Sequence, residues 1–286
     1  MNYIKEYYKK ITDGDIKVSR KVRIVYEKLV KDIDNPRTVK IYNEDDENFE
    51  EHKYIFDENK ALDAIEFIEK FCKHSKGRKW AGRPFVLELW QKAFISAIFG
   101  FIDEETGFRK YKKVILFVAR KNGKSTLAAA IGLYMLLADG EPGAECYSIA
   151  TKKDQAKIVW LEAKRMIKKN PVLLKRVKPL IAELYYEGEE AVFKPLSSES
   201  DSLDGLNASF VSADEVHAMK DKNLIDVTYD SMDSRDQPLF LETSTMGTVR
   251  ENVFDSEYEY ASNIINGYID ETSDFVDETL LAIIYE

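Results

Sequence analysis

The residues best suited to chemistry in this chain lie in two clusters about ninety positions apart. The first is Arg120-Lys121-Asn122-Gly123-Lys124-Ser125-Thr126, between the apolar run Val114-Ile115-Leu116-Phe117-Val118 and a stretch with helical character. The first N–H groups of a helix are unpaired and carry a partial positive charge, so such a junction binds phosphate. Gly123 lets the backbone come close, Lys124 can reach the β- and γ-phosphates of a nucleotide, and Ser125 can present a hydroxyl to Mg²⁺. In the G-x-x-x-x-G-K-[ST] pattern the first glycine would fall at position 118, where this chain has Val118, so the loop must bend differently. The second cluster is Asp214-Glu215, closing the short apolar run Phe210-Val211-Ser212-Ala213. On a strand neighbouring the phosphate loop, Asp214 could hold Mg²⁺ directly or through water, and Glu215 could polarise an attacking water. Taken singly, the first cluster could be a basic surface loop and the second a strand ending in surface acids. Together they point to ATP hydrolysis with Mg²⁺.

The elements that must position these clusters can be read from apolar spacing. Val114 to Val118 reads as a strand buried on both faces, and 125–137 as the helix that follows it. Residues 144–150 form a second candidate strand. The helix 153–169 buries the stripe Ala156, Val159, Trp160, Ala163, Met166 and Ile167 and ends at Asn170-Pro171. Segments 184–186 and 191–194 flank a Glu-Gly-Glu turn and form a hairpin, while 210–213 and 239–241 suit central strands. Strands alternating with helices give an α/β fold: a P-loop NTPase three-layer sandwich with a mainly parallel central sheet. Upstream, Val18, Val22, Val25 and Leu29 recur at helical spacing until Asp34–Pro36. An acidic linker over 41–58 follows (Glu44, Asp45, Asp46, Glu47, Glu50, Glu51), then a helix at 59–74 and a Gly- and Lys-rich loop at 75–83. A further helix is expected over 85–100. Residues 1–75 are therefore expected to form a helical N-terminal subdomain, and 76–286 the P-loop domain.

Composition narrows the classes. Two cysteines, Cys72 and Cys146, exclude a disulfide framework, and with only three histidines a His/Cys zinc site is not expected. No apolar stretch is long enough for a membrane span, and the N-terminus lacks an apolar signal region, so no membrane partner is expected. The net charge of −9 disfavours a nucleic-acid partner for the chain as a whole. Charge is segregated, however: ten Lys/Arg stand against two Asp/Glu between Lys152 and Lys178, while the region after Arg250 is almost wholly acidic. A basic face on an acidic protein is thus allowed. The acidic tail (Asp270, Glu271, Asp274, Asp277, Glu278) reads as solvated surface.

Several segments in order resemble the large terminase subunits of tailed bacteriophages, the ATPase motors that pump DNA into capsids. Residues 119–125 resemble that family's variant phosphate loop, in which an arginine precedes the glycine by three and the first glycine is missing. Residues 150–156 resemble the segment after its second strand. Leu203-Asp204-Gly205-Leu206-Asn207 before 212–218 resemble the approach to its acidic pair, and Glu242-Thr243-Ser244-Thr245 resemble its coupling motif. The resemblance spans about 80–250.

That likeness implies roles. Arg120 would contact the γ-phosphate and offset charge in the transition state, and Gln91 after Trp90 would contact adenine. Thr243, Ser244 and Thr245 would sense the γ-phosphate. It implies double-stranded DNA as partner, with a portal protein and a small terminase subunit. The motor would be a homo-oligomeric ring in the host cell cytoplasm, and the isolated domain could be a monomer. Lys164, Arg165, Lys168 and Lys169, with Lys175, Arg176 and Lys178 beyond them, are candidates for phosphate-backbone contact, although subunit contact would use the same charges. Family members carry a C-terminal nuclease domain for which no room is seen before residue 286, so no DNA cutting is expected. Three other readings stay open on sequence alone: a helicase- or repair-type ATPase, a nucleotide or small-molecule kinase, and a nucleotide-dependent assembly switch without turnover.

Overall fold

The computed structural model describes residues 1–43, 47–198, 203, 205–219, 222–245, 252–270 and 277–285. These fall into two compact units that are each discontinuous in sequence. One draws on Met1–Ile65, Leu87–Ile115 and Glu259–Glu286, the other on Glu66–Val86 and Leu116–Tyr258.

The first unit opens with α1 (Tyr3–Thr12) and α2 (Arg20–Asp34). Asn2 and Ser19 cap them by accepting the N–H of Lys5 and Val22, satisfying donors a helix start leaves unpaired. Ile4, Tyr7 and Ile11 on α1 and Val22, Val25, Tyr26 and Leu29 on α2 are buried, so helical spacing is the reason this segment folds as it does. Tyr7 meets Tyr26 edge-on at 4.8 Å between ring centres. The acidic linker expected next is a hairpin instead: β1 (Thr38–Asn43) pairs antiparallel with β2 (Asn48–Phe56). Most of β1 and the first half of β2 face water, where Lys40, Glu50 and Glu51 stand, and Lys40 lies opposite Glu51 across the ladder. Glu44, Asp45 and Asp46 are outside the described residues.

After α3 (Glu58–Phe71), α4 (Leu89–Gly100) starts four residues later than apolar content suggests. Glu88 is its N-cap, and the Gln91 side chain accepts the Glu88 N–H at 2.9 Å in a reciprocal capping box. β3 (Phe101–Asp103) pairs with β2. Buried Lys110 meets Glu278 at 2.8 Å just before β11 (Leu280–Ile284), which lies beside β4 (Lys113–Phe117).

In the second unit α5 (Lys124–Leu137), β5 (Glu145–Ala150), α6 (Lys153–Lys169), α7 (Pro171–Arg176), β6 (Val177–Pro179), β7 (Leu184–Tyr186), β8 (Ala191–Ser197), β9 (Phe210–Asp214), α8 (Asn223–Asp230), β10 (Leu239–Ser244) and the start of α9 (Val253–Gly267) follow. Spatial order runs β4-β10-β9-β5-β8-β7-β6. β10, β9, β5 and β8 are parallel, and the β7–β8 hairpin expected from the sequence adds an antiparallel edge. Burial on both faces explains the near-continuous apolar strands. One face packs on α5 and α6. On the other, Tyr147 and Ile149 of β5 and Val211 and Ala213 of β9 join Leu224 and Ile225 of α8 in one core. The α6 stripe predicted from spacing is buried throughout, and Trp160 donates to the Phe193 carbonyl at 3.0 Å. Gly132 lets α5 approach the sheet: a Cβ there would lie 2.8 Å from Phe193 and 2.9 Å from Phe210. This is the three-layer α/β sandwich with a mainly parallel sheet. Cys72 and Cys146 are free thiols, and burial pushes both above the usual cysteine range. No helix among the described residues is long and apolar enough to cross a membrane.

Candidate active site

The loop between β4 and α5 does bend without the first glycine. Val118 keeps to the sheet, donating its N–H to the Ser244 carbonyl at 3.1 Å. The turn is made further on, where Lys121 (φ 71°) and Gly123 (φ 75°) take left-handed conformations. Glycine adopts that region freely, whereas Lys121 is strained there, so the loop stores strain beside the N-terminal end of α5. Asn122 Nδ2 donates to the Ala119 carbonyl at 3.0 Å and closes the loop on itself. Arg120, Lys121, Gly123, Lys124, Ser125, Thr126, Glu215 and Thr245 line a cavity of about 280 Å³.

The acids come from β9. Parallel pairing in register sets Thr243 of β10 beside Asp214. β10 runs between β4 and β9, so the acidic strand is the second neighbour of the loop's strand, whereas the sequence reading puts it on the first. The hydroxyl strand in between becomes part of the site. Asp214 Oδ2 accepts Ser125 Oγ at 2.6 Å, and Oδ1 accepts Thr243 Oγ1 at 2.8 Å and the Glu215 N–H at 3.0 Å. Lys124 Nζ is 3.2 Å from Asp214 Oδ1 and in direct contact with Glu215 Oε1. Lys124 and Asp214 are buried, so their charges need one another. Glu215 sits just beyond the strand at φ 60°, a left-handed conformation uncommon for a glutamate.

His217 joins no site in the sequence reading beyond its place in a motif. Its Nδ1 lies 3.1 Å from Glu215 Oε2 and 3.0 Å from Ser244 Oγ. The only sequence signal is its position two residues after the acidic pair. Thr245, buried, lines the cavity, and Ser244 donates to the Thr245 carbonyl at 3.0 Å. Gln91 uses its amide oxygen to cap α4. Asp204 is outside the described residues.

Ser125 and Asp214 present a hydroxyl and a carboxylate in mutual contact at the N-terminal end of α5. Mg²⁺ takes hard oxygen donors, usually one or two from protein, with phosphate and water supplying the others. The donor set fits that ion.

On the long helix, Lys168 and Lys169 are exposed. Lys164 instead lies over the Trp160 ring and donates to the Leu180 carbonyl, and Arg165 reaches Glu162 at 3.4 Å. Burial first, and Lys168 second, hold Lys164 below the usual lysine range.

Residues 89–263 match the family described as the terminase large subunit, ATPase domain. The chain belongs to that family. The large terminase of bacteriophage HK97 is similar to it in structure, with 26% identity, 79% of this chain and 44% of that one covered, and a TM-score of 0.63. The ATPase domain of the Thermus phage P74-26 large terminase is 16% identical over 61% of this chain and 75% of that one, with a TM-score of 0.46. No curated protein matches the sequence. The chain thus spans under half the length of the HK97 terminase. Nothing in the terminase likeness supports the helicase, kinase or assembly-switch readings.

Proposed function

We propose that this terminase chain hydrolyses ATP and that the larger protein uses the energy to drive double-stranded DNA into a procapsid. The supporting observation is the contact of Ser125 with Asp214 and of Lys124 with Glu215, which brings the lysine-serine turn and Glu215 to one cavity with Asp214 held against Ser125.

Lys124 is held here by the two carboxylates. An arriving triphosphate competes for that ammonium, and Lys124 turns from Glu215 to the phosphates. Glu215 is then left with a free carboxylate oxygen to orient water. Water attacks the γ-phosphorus, the bond to the ADP oxygen breaks, and the water proton passes towards Glu215. Arg120 offsets charge on the phosphoryl oxygens. Ser125 and Asp214 would hold Mg²⁺, which when bound would neutralise charge on the phosphates. Gln91 contacts adenine once nucleotide is bound, and Thr243, Ser244 and Thr245 sense the γ-phosphate. Lys121, Asn122, Gly123 and Thr126 complete the phosphate cradle.

Lys168 and Lys169, with Lys164 and Arg165 behind them, touch the DNA backbone, where lysines and arginines displace counterions without reading sequence. A portal protein, a small terminase subunit and further copies in a ring are the partners, in the cytoplasm of the infected cell. The test is phosphate release with and without DNA. Turnover by the wild-type chain that Lys124→Ala abolishes supports the reading; Mg-ATP bound without turnover refutes it. Neutralising Lys164, Arg165, Lys168 and Lys169 together should weaken DNA binding and flatten its salt dependence, and unchanged binding removes α6 from the DNA path.

A further inference from the structure

We infer that His217 is a positioning residue for Glu215 and ties the hydrolytic carboxylate to the end of β10 and the first turn of α9. The inference rests on the proposed ATPase reading.

Hydrogen-bond accounting fixes the role of the imidazole. Ser244 Oγ has one proton, and it goes to the Thr245 carbonyl at 3.0 Å. The same oxygen accepts the His217 backbone N–H at 3.2 Å. Its contact with His217 Nδ1 at 3.0 Å must therefore have the ring nitrogen as donor. The Nδ1–H thus points to Ser244 Oγ, and Glu215 Oε2 lies 3.1 Å from the same nitrogen as a charge contact without accepting its hydrogen bond. Lys124 holds the other oxygen, Oε1. When Lys124 leaves for phosphate, His217 remains on Oε2 and keeps the carboxylate aimed with Oε1 available.

The restraint is needed because Glu215 lies beyond the end of β9 at φ 60°, where no ladder fixes it. His217 is itself held from a third element. Asn252 Nδ2 donates to the His217 carbonyl at 3.1 Å, and Asn252 Oδ1 accepts the Phe254 N–H at 3.0 Å, opening α9. One residue thereby connects the hydrolytic acid, the hydroxyl run of β10 and the start of a helix. A shift in Asn252 moves the Glu215 carboxylate through His217 without touching the nucleotide.

The experiment compares wild type with His217→Ala, His217→Asn and His217→Gln, measuring single-turnover hydrolysis and, separately, affinity for a fluorescent ATP analogue. The Asn amide nitrogen falls near the place of Nδ1 and the Gln nitrogen nearer Nε2. His217→Ala should lower the hydrolysis rate about tenfold as the carboxylate loses its contact on Oε2, with nucleotide affinity within about twofold of wild type. His217→Asn should recover most of the rate and His217→Gln little. A rate for His217→Ala equal to wild type, a loss matched by weaker nucleotide binding, or an Asn variant no faster than Ala each overturns the inference. A wild-type chain that binds ATP but never hydrolyses it fails the underlying ATPase reading instead, and the two failures are told apart by that control.

Discussion

Replacing Glu215 by Gln should tighten ATP binding even though it removes the carboxylate proposed to orient water. Lys124 must leave its carboxylates to reach phosphate, so whatever holds it there is subtracted from nucleotide affinity. The Lys124 side chain is 10% exposed and Glu215 31% exposed, a partly buried pair in direct contact. A hydrogen bond to a charged group is worth roughly 1.5–3 kcal/mol net. The partial exposure of Glu215 reduces this to about 1 kcal/mol. Asp214 at 3.2 Å stays in place and keeps Lys124 near the loop. A gain of that size is about a fivefold fall in Kd. The assay is calorimetric titration with a non-hydrolysable ATP analogue and Mg²⁺ at constant ionic strength. Glu215→Gln also removes a charge that repels the triphosphate, so the same substitution is repeated in a Lys124→Gln background. The excess gain in the protein that keeps Lys124 isolates the ion pair. Equal gains in both backgrounds, or weaker binding in Glu215→Gln, would refute the competition.

Other outcomes follow from the packing and the charges. Gly132→Ala adds helix propensity worth about 1 kcal/mol, but its methyl meets two fully buried rings at under 3 Å. Overpacking of roughly 1–3 kcal/mol should win, lowering Tm by a few degrees; a raised Tm would show that Phe193 and Phe210 move aside. Glu278→Gln leaves Lys110, whose side chain is 3% exposed, without its hydrogen-bonded carboxylate and with only the weaker field of Asp32, and should cost about 3 kcal/mol at neutral pH. Burial alone would raise the Glu278 carboxyl, but Lys110, Lys28 and Arg37 outweigh it and hold it below the usual glutamate range. The stabilisation is therefore present above the unfolded value and lost as pH falls through the folded one. The Tm gap between wild type and Glu278→Gln should narrow as pH falls below about 4.5, and a constant gap contradicts it. Arg120→Ala should slow turnover by at least about tenfold with little effect on stability, because Arg120 is exposed and lines the cavity.

The parallel core was legible because its elements announce themselves in spacing. Val114 to Phe117 is unbroken apolar sequence, and the stripe from Ala156 to Ile167 repeats at helical intervals. The Gly-Lys-Ser turn and the Asp-Glu pair were recognisable because phosphate and metal chemistry needs those types at an element junction. What escaped notice depends on contacts between distant residues. The β1–β2 hairpin was hidden because β1 and the first half of β2 largely face water, so Lys40, Glu50 and Glu51 interrupt the expected alternation. The place of β10 between β4 and β9 is a matter of strand order, which no local pattern encodes. His217 meets Ser244 twenty-seven residues away, and only the parallel register of β9 and β10 brings the end of one beside the end of the other. The bend at Lys121 was invisible for another reason: a lysine with positive φ is held by its surroundings and not by its type.

The central claim is that the lysine-serine turn and the two acids work on one triphosphate, and the most direct measurement is phosphate release from Mg-ATP by wild type and Glu215→Gln. The account predicts steady turnover by wild type and a loss of at least about a hundredfold in the variant, with nucleotide still bound. A Glu215→Gln protein that hydrolyses ATP at the wild-type rate would contradict it.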